Sequence, residues 1–143
     1  MICFNATAYE TMIADARQAF PDECCGFLFG HEKGENRIIS ECMAVHNAKE
    51  GDKKRRFEIA PRDYLKAEQY ALENEVSLLG IYHSHPLHPA VPSEHDRVAA
   101  QPFFSYVIVS VSEQNIENTL SWRLNDEHHF EPENITLPSI IQQ

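Results

Sequence analysis

The chain has 143 residues, 43% of them hydrophobic, which predicts a single domain over residues 1–143, with a core from about 7 to 135 and a tail over 136–143. Its 22 acidic and 12 basic residues give a formal net charge of −10, which repels phosphate backbones and anionic lipids, so we expect neither nucleic acid nor a membrane as a partner. No segment approaches the roughly 20 apolar residues that span a bilayer and the start of the chain has no basic lead, so a soluble, cytoplasmic protein is predicted.

The cysteine pattern predicts no disulfide framework. Cys3, Cys24, Cys25 and Cys42 show no Cys-x-x-Cys spacing, and two of the four are adjacent, which is an awkward geometry for a bridge. We therefore expect reduced, buried thiols.

A helix is predicted near the start of the chain. Residues 7–10 have the form of a capping box, with the hydroxyl of Thr7 at the N-cap and the carboxylate of Glu10 three residues later. The helix that follows places four apolar side chains on one face, Met12, Ile13, Ala16 and Phe20. Pro21 is expected to end it.

A β-hairpin is predicted next. Residues 22–30 form an apolar run of strand length, and the polar stretch 31–36 suits a loop into a second strand over about 37–45. Glu23 lies where the helix gives way to the first of these strands. A buried carboxylate is costly without a proton, a cation or a metal-bound water beside it, so Glu23 is a candidate functional residue. The alternative is a solvent-facing side chain at the start of a strand.

The middle of the chain predicts a charged loop and a second helix. The loop, residues 47–56, contains Lys-Lys-Arg-Arg at 53–56, the only dense basic cluster of this acidic chain. It is either a solvated mobile loop or a flap that contacts an acidic or extended protein substrate. A short extended piece leads to Pro61, which is well placed as the first residue of a helix running to about Asn74. The predicted apolar stripe of this helix consists of Tyr64, Leu65, Ala67, Ala71 and Leu72.

The next segment combines a buried strand with candidate functional residues. Residues 76–82 are almost continuously apolar, as expected of a central strand buried on both faces, and the strand ends on His83 and His85. The connection that follows is stiffened by three prolines, Pro86, Pro89 and Pro92. Ser93 then has the position of a helix N-cap, which places Asp96 in the first turn of a short helix.

The last third of the chain predicts mostly strands. Residues 103–111 are strongly β-prone and indicate another central strand, followed by a turn around 113–118 and strands near a sheet edge at 119–124 and 129–130. The segment 135–137 is predicted to be extended, and the pattern leaves open whether it packs on its own sheet or on a partner. This order of elements predicts an α/β fold class, with a mixed sheet and helices against it.

The histidine pair and Asp96 predict a metal site. On an extended strand residues i and i+2 point to one face, so His83 and His85 can reach a single ion, and Asp96 can fold back over the strand end. Two histidines and one carboxylate leave one position of a tetrahedral zinc open for water, which is typical of catalytic sites. His-x-His alone is weak evidence, but the prolines reduce the cost of ordering Asp96 beside the pair. A zinc hydrolase also needs a general base that is not a ligand, and Glu23 is the best candidate.

These residues together resemble the signature of the JAMM (MPN-plus) metallopeptidases. The signature consists of Glu23, His83-Ser84-His85, Ser93 and Asp96. The stretches 21–30, 56–61 and 80–86 also resemble the small stand-alone prokaryotic JAB-domain members, and the likeness extends from about residue 7 to residue 135.

The resemblance implies a cytidine-deaminase-like fold with a central mixed sheet flanked by helices. It also implies a zinc-dependent hydrolase that cleaves amide or isopeptide bonds after the C-terminal Gly-Gly of a ubiquitin-like or sulfur-carrier protein, including release of cysteine from a carrier. In such an enzyme His83, His85 and Asp96 bind one zinc ion. Glu23 holds and deprotonates the fourth-site water and passes the proton to the leaving amine, and Ser93 donates its hydroxyl to the oxyanion. A plain helix N-cap is the alternative role of Ser93.

Other functions compete with this one. A nucleotide deaminase would need His-x-Glu and Pro-Cys-x-x-Cys, which the chain lacks, and an amidohydrolase barrel needs around 250 residues. A non-catalytic metal-binding scaffold or protein-interaction module stays open, although such relatives usually lack ligands that are complete here. His88 and His95 are expected to be ordinary exposed side chains, and the alternatives are that they support the metal ligands or face the substrate. The sequence leaves the carrier, the leaving group and the oligomeric state undetermined.

Overall fold

A single mixed sheet organises the protein. The structure, a computed structural model, describes residues 1–113 and 115–138, and these contain three helices and eight strands. The helices are α1 (Ala6–Ala19), α2 (Pro61–Glu73) and α3 (Glu94–Ala99). The strands are β1 (Ile2–Phe4), β2 (Cys25–Lys33), β3 (Asn36–Val45), β4 (Ser77–Pro86), β5 (Ser105–Ser112), β6 (Asn115–Leu124), β7 (Phe130–Glu133) and β8 (Ile135–Thr136). Their order in the sheet is β7-β6-β5-β4-β2-β3-β1-β8, which confirms the predicted α/β class.

β4 lies in the interior of the sheet. It runs antiparallel to β2 and parallel to β5, and it is buried from Leu79 to its end at Pro86. At Gly80 a side chain is excluded, because a Cβ atom there would lie 2.5 Å from the carbonyl oxygen of Ser105 on β5. The predicted central strand is therefore confirmed, and it includes both histidines and ends at Pro86, one residue after His85.

The core has two parts, one on each face of the sheet. On one face α1 contributes Ala8, Met12, Ile13 and Ala16, which pack with Leu28, Leu79 and Tyr82 of the strands. On the other face α2 contributes Ala67 and Ala71, which pack with Phe27, Phe29 and Ile81. Because side chains alternate along a strand, His83 and His85 share the α2 face with Ile81.

α1 begins earlier than the capping-box prediction places it. The N-cap is Asn5, whose Oδ1 accepts a hydrogen bond from the backbone N–H of Ala8 at 2.8 Å, and Thr7 lies inside the first turn. Asparagine is at least as good an N-cap as threonine, and Asn5 also donates its Nδ2 to the carbonyl of Ser40, which ties the helix to β3. The prediction of Thr7 as the N-cap was wrong, and Phe20, just past the helix end, is only half-buried.

α2 begins at Pro61, as predicted, but it uses less of its apolar surface than expected. Ala67 and Ala71 are buried and Tyr64 is half-buried, whereas Leu65 and Leu72 are 67% and 82% exposed. Both leucines were wrongly assigned to the packed stripe. The alanines allow the helix to lie close to the sheet, and the contact is too narrow to cover the flanking leucines.

Several other boundaries differ from expectation. β2 begins at Cys25, so Glu23 precedes the strand, and β5 begins at Ser105, which leaves Phe103 51% exposed. β1, which the sequence pattern did not indicate, pairs in parallel with both β3 and β8. The segment at Ile135 therefore packs on its own sheet, while residues 139–143 of the predicted tail lie outside the described residues.

The thiols and the helices bear on two further expectations. All four cysteines are free, as predicted, but only Cys24 and Cys25 are buried, and Cys3 and Cys42 are partly exposed. None of the helices in the described part of the chain is long and apolar enough to cross a membrane.

Exposure of Leu72 predicts that its truncation is nearly neutral. We expect Leu72→Ala to change the free energy of unfolding by less than about 0.5 kcal/mol, because no buried contact is lost. The matched substitution Leu28→Ala, at a fully buried position of β2, should cost about 2–5 kcal/mol. Urea unfolding of the two variants beside the parent protein measures both values. A cost at Leu72 close to that at Leu28 would contradict the exposed position of this helix face.

Candidate metal centre

β4 presents two imidazoles to one point. His83 and His85 are 1% and 6% exposed, and their Nε2 atoms lie 3.2 Å apart. In the neutral ring of His85, the Nδ1–H donates to the carbonyl oxygen of Pro89 at 2.8 Å, so Nε2 carries a lone pair. The two histidines therefore face the same point, as predicted for residues two apart on a strand.

α3 brings Asp96 to the same point through its capping box. The Oγ of Ser93 accepts from the backbone N–H of Asp96 at 3.0 Å, and Oδ2 of Asp96 accepts from the N–H of Ser93 at 2.9 Å. The same Oδ2 lies 3.3 Å from Nε2 of His83 and 3.2 Å from Nε2 of His85. One carboxylate oxygen thus both caps the helix and joins the histidine pair.

The three atoms fit a metal ion. Each pair is separated by 3.2–3.3 Å, and tetrahedral zinc with bonds of 2.0–2.1 Å requires about 3.3 Å between neighbouring ligand atoms. Two imidazole nitrogens and one carboxylate oxygen are also ligands of the type that zinc takes in hydrolases. His83, His85 and Asp96 are therefore compatible with a metal site.

The charges of the cluster favour a cation. Burial lowers the pKa of His83, which keeps that imidazole neutral. Burial acts in the same direction on His85, but in the metal-free protein the hydrogen bonds that its protonated ring donates to Asp96 and to the Pro89 carbonyl outweigh burial and raise the pKa of His85. Burial would raise the pKa of Asp96, yet the adjacent His83 and the hydrogen bonds from both imidazoles hold that pKa well below its usual range. Asp96 is thus anionic at neutral pH.

Phe57 supports the first histidine. Its ring stacks on that of His83, with 4.4 Å between centroids and an interplanar angle of 23°. This contact fixes the plane of the imidazole. The sequence pattern placed Phe57 in an extended piece and in the stretch 56–61 that carries the family resemblance, but it did not predict this stacking contact.

Glu23 lies beside the cluster and is buried. Its side chain is 4% exposed, and Oε1 has no hydrogen-bond partner among the residues that the structure describes. Burial raises the pKa of Glu23 to about 8. The alternative of a solvent-facing side chain is therefore wrong.

The backbone of Glu23 is held from two directions. The adjacent Cys24 exchanges hydrogen bonds with Ser84: its N–H donates to Oγ of Ser84 at 2.8 Å, and its carbonyl accepts from the N–H of Ser84 at 3.2 Å. Because Cys25 pairs with His83 in the β2–β4 register, continuation of that register brings Glu23 opposite His85. From the charged loop, the carbonyl of Lys53 accepts from the N–H of Glu23 at 2.7 Å.

A cavity of about 580 Å³ opens at this place. It is lined by Glu23, Arg55, Arg56, His85, His88, Pro89, Val91 and Ser93. Ser93 is exposed, so its hydroxyl is accessible while its oxygen caps α3. His88 is exposed as expected but borders the cavity, and His95, also exposed, borders a second cavity of about 280 Å³ next to His83 and Asp96. The structure thus brings together all five residues that the sequence singled out.

Comparison with known proteins gives a consistent result. The profile of a family described as prokaryotic homologs of the JAB domain matches residues 5–125. A CysO-cysteine peptidase of Mycobacterium tuberculosis is 30% identical over 127 residues, which cover 88% of this chain and 84% of the relative. A desampylase of Pyrococcus furiosus is 36% identical over 74 residues, which cover 52% of this chain and 49% of the relative.

Solved structures share the fold. A Desulfitobacterium hafniense protein determined in solution superposes with a TM-score of 0.85 at 32% identity, covering 99% of this chain and 96% of its own. A JAB1/MPN domain protein from Archaeoglobus fulgidus superposes with a TM-score of 0.61 at 18% identity, covering 97% and 100% of the two chains. The second likeness concerns the fold alone.

Burial of Glu23 predicts that its carboxyl destabilises the metal-free protein at high pH. A pKa raised from 4.5 to about 8 means that the folded protein holds a proton which the unfolded chain has released. The stability contributed by that proton is present below pH 4.5 and is lost as the pH rises through 8. Glu23→Gln, which is neutral throughout, should therefore have a free energy of unfolding about 4 kcal/mol higher than the parent protein in urea at pH 8 with a chelator present. At pH 4.5 the two proteins should have nearly equal stability.

The control is Glu68→Gln, on the exposed face of α2, which should shift neither value. Parallel stability curves for the parent protein and Glu23→Gln between pH 4.5 and 8 would rule out a buried, protonated Glu23.

Proposed function

Because the chain belongs to the family of prokaryotic JAB-domain homologues, we propose that it is a zinc-dependent peptidase or isopeptidase. Its proposed reaction is hydrolysis of the amide bond that follows the C-terminal Gly-Gly of a ubiquitin-like or sulfur-carrier protein. The observation that supports this most is the buried Oε1 of Glu23, without a hydrogen-bond partner in the described chain, beside three converging ligand atoms.

The proposed metal is one zinc ion per chain, held by His83, His85 and Asp96. The 3.2–3.3 Å separations of their ligand atoms support this assignment. A zinc ion in such a site supplies a Lewis acid and an activated water. The chain supplies the orientation: the Pro89 carbonyl fixes the tautomer of His85, Phe57 fixes the ring of His83, and the capping box fixes Asp96.

Glu23 is the proposed general base. Its carboxylate accepts a proton from the attacking water and returns it to the nitrogen of the leaving amine, so the amide is converted to a carboxylate and a free amine. A pKa raised to about 8 by burial supports this role, since a base works best when its pKa lies near the working pH. Zinc bound nearby would favour the ionised form.

Ser93 is the proposed donor to the oxyanion. Its oxygen accepts from the N–H of Asp96, which leaves the hydroxyl hydrogen to donate into the cavity. Capping and donation therefore require different parts of the same hydroxyl, and the two roles are compatible.

The substrate class rests on the relatives. One is named CysO-cysteine peptidase and another desampylase, and both names fit cleavage at the end of a small carrier protein. The non-catalytic scaffold remains the alternative. A protein that only binds would keep the stability cost of a buried, unpartnered Glu23 without benefit, which favours the enzyme.

Zinc binding and turnover should separate when the proposed base is removed. We expect Glu23→Ala to keep one zinc per chain and to lose hydrolysis of a glycine-terminated carrier fusion by about 10²–10⁴-fold. His85→Ala should lose both zinc and hydrolysis, because only two of the three proposed protein ligands remain. Metal analysis after dialysis and mass analysis of the cleavage products measure both properties.

His129→Ala, at an exposed histidine, is the control and should retain both zinc and activity. Near-normal hydrolysis by Glu23→Ala would exclude it as the base, and zinc binding by the parent protein without any cleavage would favour the scaffold.

A glycine at position 93 should distinguish the two roles of the serine. Glycine is a tolerated N-cap, at a cost of only a few tenths of a kcal/mol, but has no hydroxyl. We therefore expect Ser93→Gly to keep zinc and stability and to lower kcat by about 10²–10³-fold. Steady-state kinetics together with thermal unfolding test this, and unchanged kcat would leave Ser93 a helix cap only.

A further inference from the structure

The basic stretch over residues 53–56 belongs to an anchored loop. Asn47, 8% exposed, uses its whole amide: Nδ2 donates to the carbonyls of Glu23 and Arg56, each at 3.1 Å, and Oδ1 accepts from the N–H groups of Lys49 and Glu58 at 3.0 and 3.1 Å. One side chain thus joins the backbone of the proposed base to the loop on both sides of the basic residues.

Three further contacts hold the same loop. The N–H of Ala48 donates to the carbonyl of Glu58 at 2.8 Å and the N–H of Glu23 to that of Lys53 at 2.7 Å, while Phe57 stacks on His83. The interpretation as a solvated mobile loop is not supported by this number of contacts. The backbone that carries Arg55 and Arg56 is therefore held in place, and both residues line the cavity.

The two arginines differ in their surroundings. The side chain of Arg55 is 74% exposed and lies 3.7 Å from the carboxylate of Asp52. Arg56 is half-buried, and its guanidinium donates one hydrogen bond, from Nη1 to the carbonyl of Arg55 at 3.0 Å. A guanidinium has five N–H donors in a planar fork, so Arg56 retains the donors that a carboxylate requires.

We propose that Arg56, with Arg55 beside it, is a carboxylate-binding subsite for the leaving group of the reaction. This rests on the proposed function and names its substrate: a carrier whose last glycine is joined to the α-amine of a single amino acid. In such an adduct the free α-carboxylate is one carbon from the scissile nitrogen, so it enters the cavity with Glu23 and His85. A lysine side chain in an isopeptide presents methylene groups at this place and gains nothing from a guanidinium.

The test compares two peptides that differ only at the end. N-acetyl-Gly-Gly-Ala and its C-terminal amide are titrated calorimetrically into zinc-loaded Glu23→Gln protein, in which cleavage is blocked. Alanine replaces cysteine so that no thiol can ligate zinc. We expect the free acid to bind about tenfold more tightly than the amide, and Arg56→Gln in the same background to remove that difference. Arg62→Gln, an exposed arginine on α2 away from the cavity, should retain it.

A third peptide identifies the source of the carboxylate. N-acetyl-Glu-Gly-Gly-Ala amide has its charge upstream of the glycines, and it should bind like the uncharged amide. Equal affinity for acid and amide, a preference that survives in Arg56→Gln, or tight Arg56-dependent binding of this third peptide would each overturn the subsite. Failure of the proposed function is recognised separately, because the parent protein would then leave a carrier fusion uncleaved whatever the peptides do.

Discussion

The hydrogen bonds between the start of β2 and the end of β4 are the constraint on which the site depends. They set the backbone of Glu23 opposite that of His85 and fix the register of the two strands. A shift of one residue would turn every side chain of a strand to the other face of the sheet. Ser84, between the two histidines, strengthens this junction from the opposite face through its bond to the N–H of Cys24. The strand that supplies two of the proposed ligand atoms therefore also positions the carboxylate of the proposed base.

The site concentrates ionisable side chains at the end of β4, a strand that is buried from Leu79 onward. Burying two imidazoles and two carboxylates costs desolvation free energy, which the surrounding core has to offset. The core can do so because both faces of β4 are packed, one by α1 and the other by α2. Rigid packing gives a second benefit. Side chains fixed by close neighbours, such as His83 under Phe57, pay little ordering entropy when a ligand arrives.

The sequence was most informative where a local rule decides the structure. The alternation of side chains along a strand predicted that the two histidines share one face. The N-cap preference of serine predicted that Ser93 starts α3 with Asp96 in its first turn, and the preference of proline for the first helical position predicted the start of α2. It failed where tertiary contacts decide. The hydrogen bonds of Asn47 could not be recognised because three of its four partners, Glu23, Arg56 and Glu58, lie 24, 9 and 11 residues away along the chain. Leu65 was expected to pack because periodicity does not reveal how narrow a helix–sheet contact is. The catalytic roles of the five residues remain predictions.

The capping box at α3 has a consequence for how the site assembles. This helix has six residues and no buried side chain, so hydrophobic burial gives it little reason to persist. Besides the capping box, the described contacts that hold this helix include two hydrogen bonds between Arg97 and His128. His128 lies in the connection between β6 and β7. Because Oδ2 of Asp96 accepts from the N–H of Ser93 and also lies beside both imidazoles, formation of α3 and completion of the proposed ligand set are a single event. Amide exchange in this turn would therefore report occupancy of the proposed metal site.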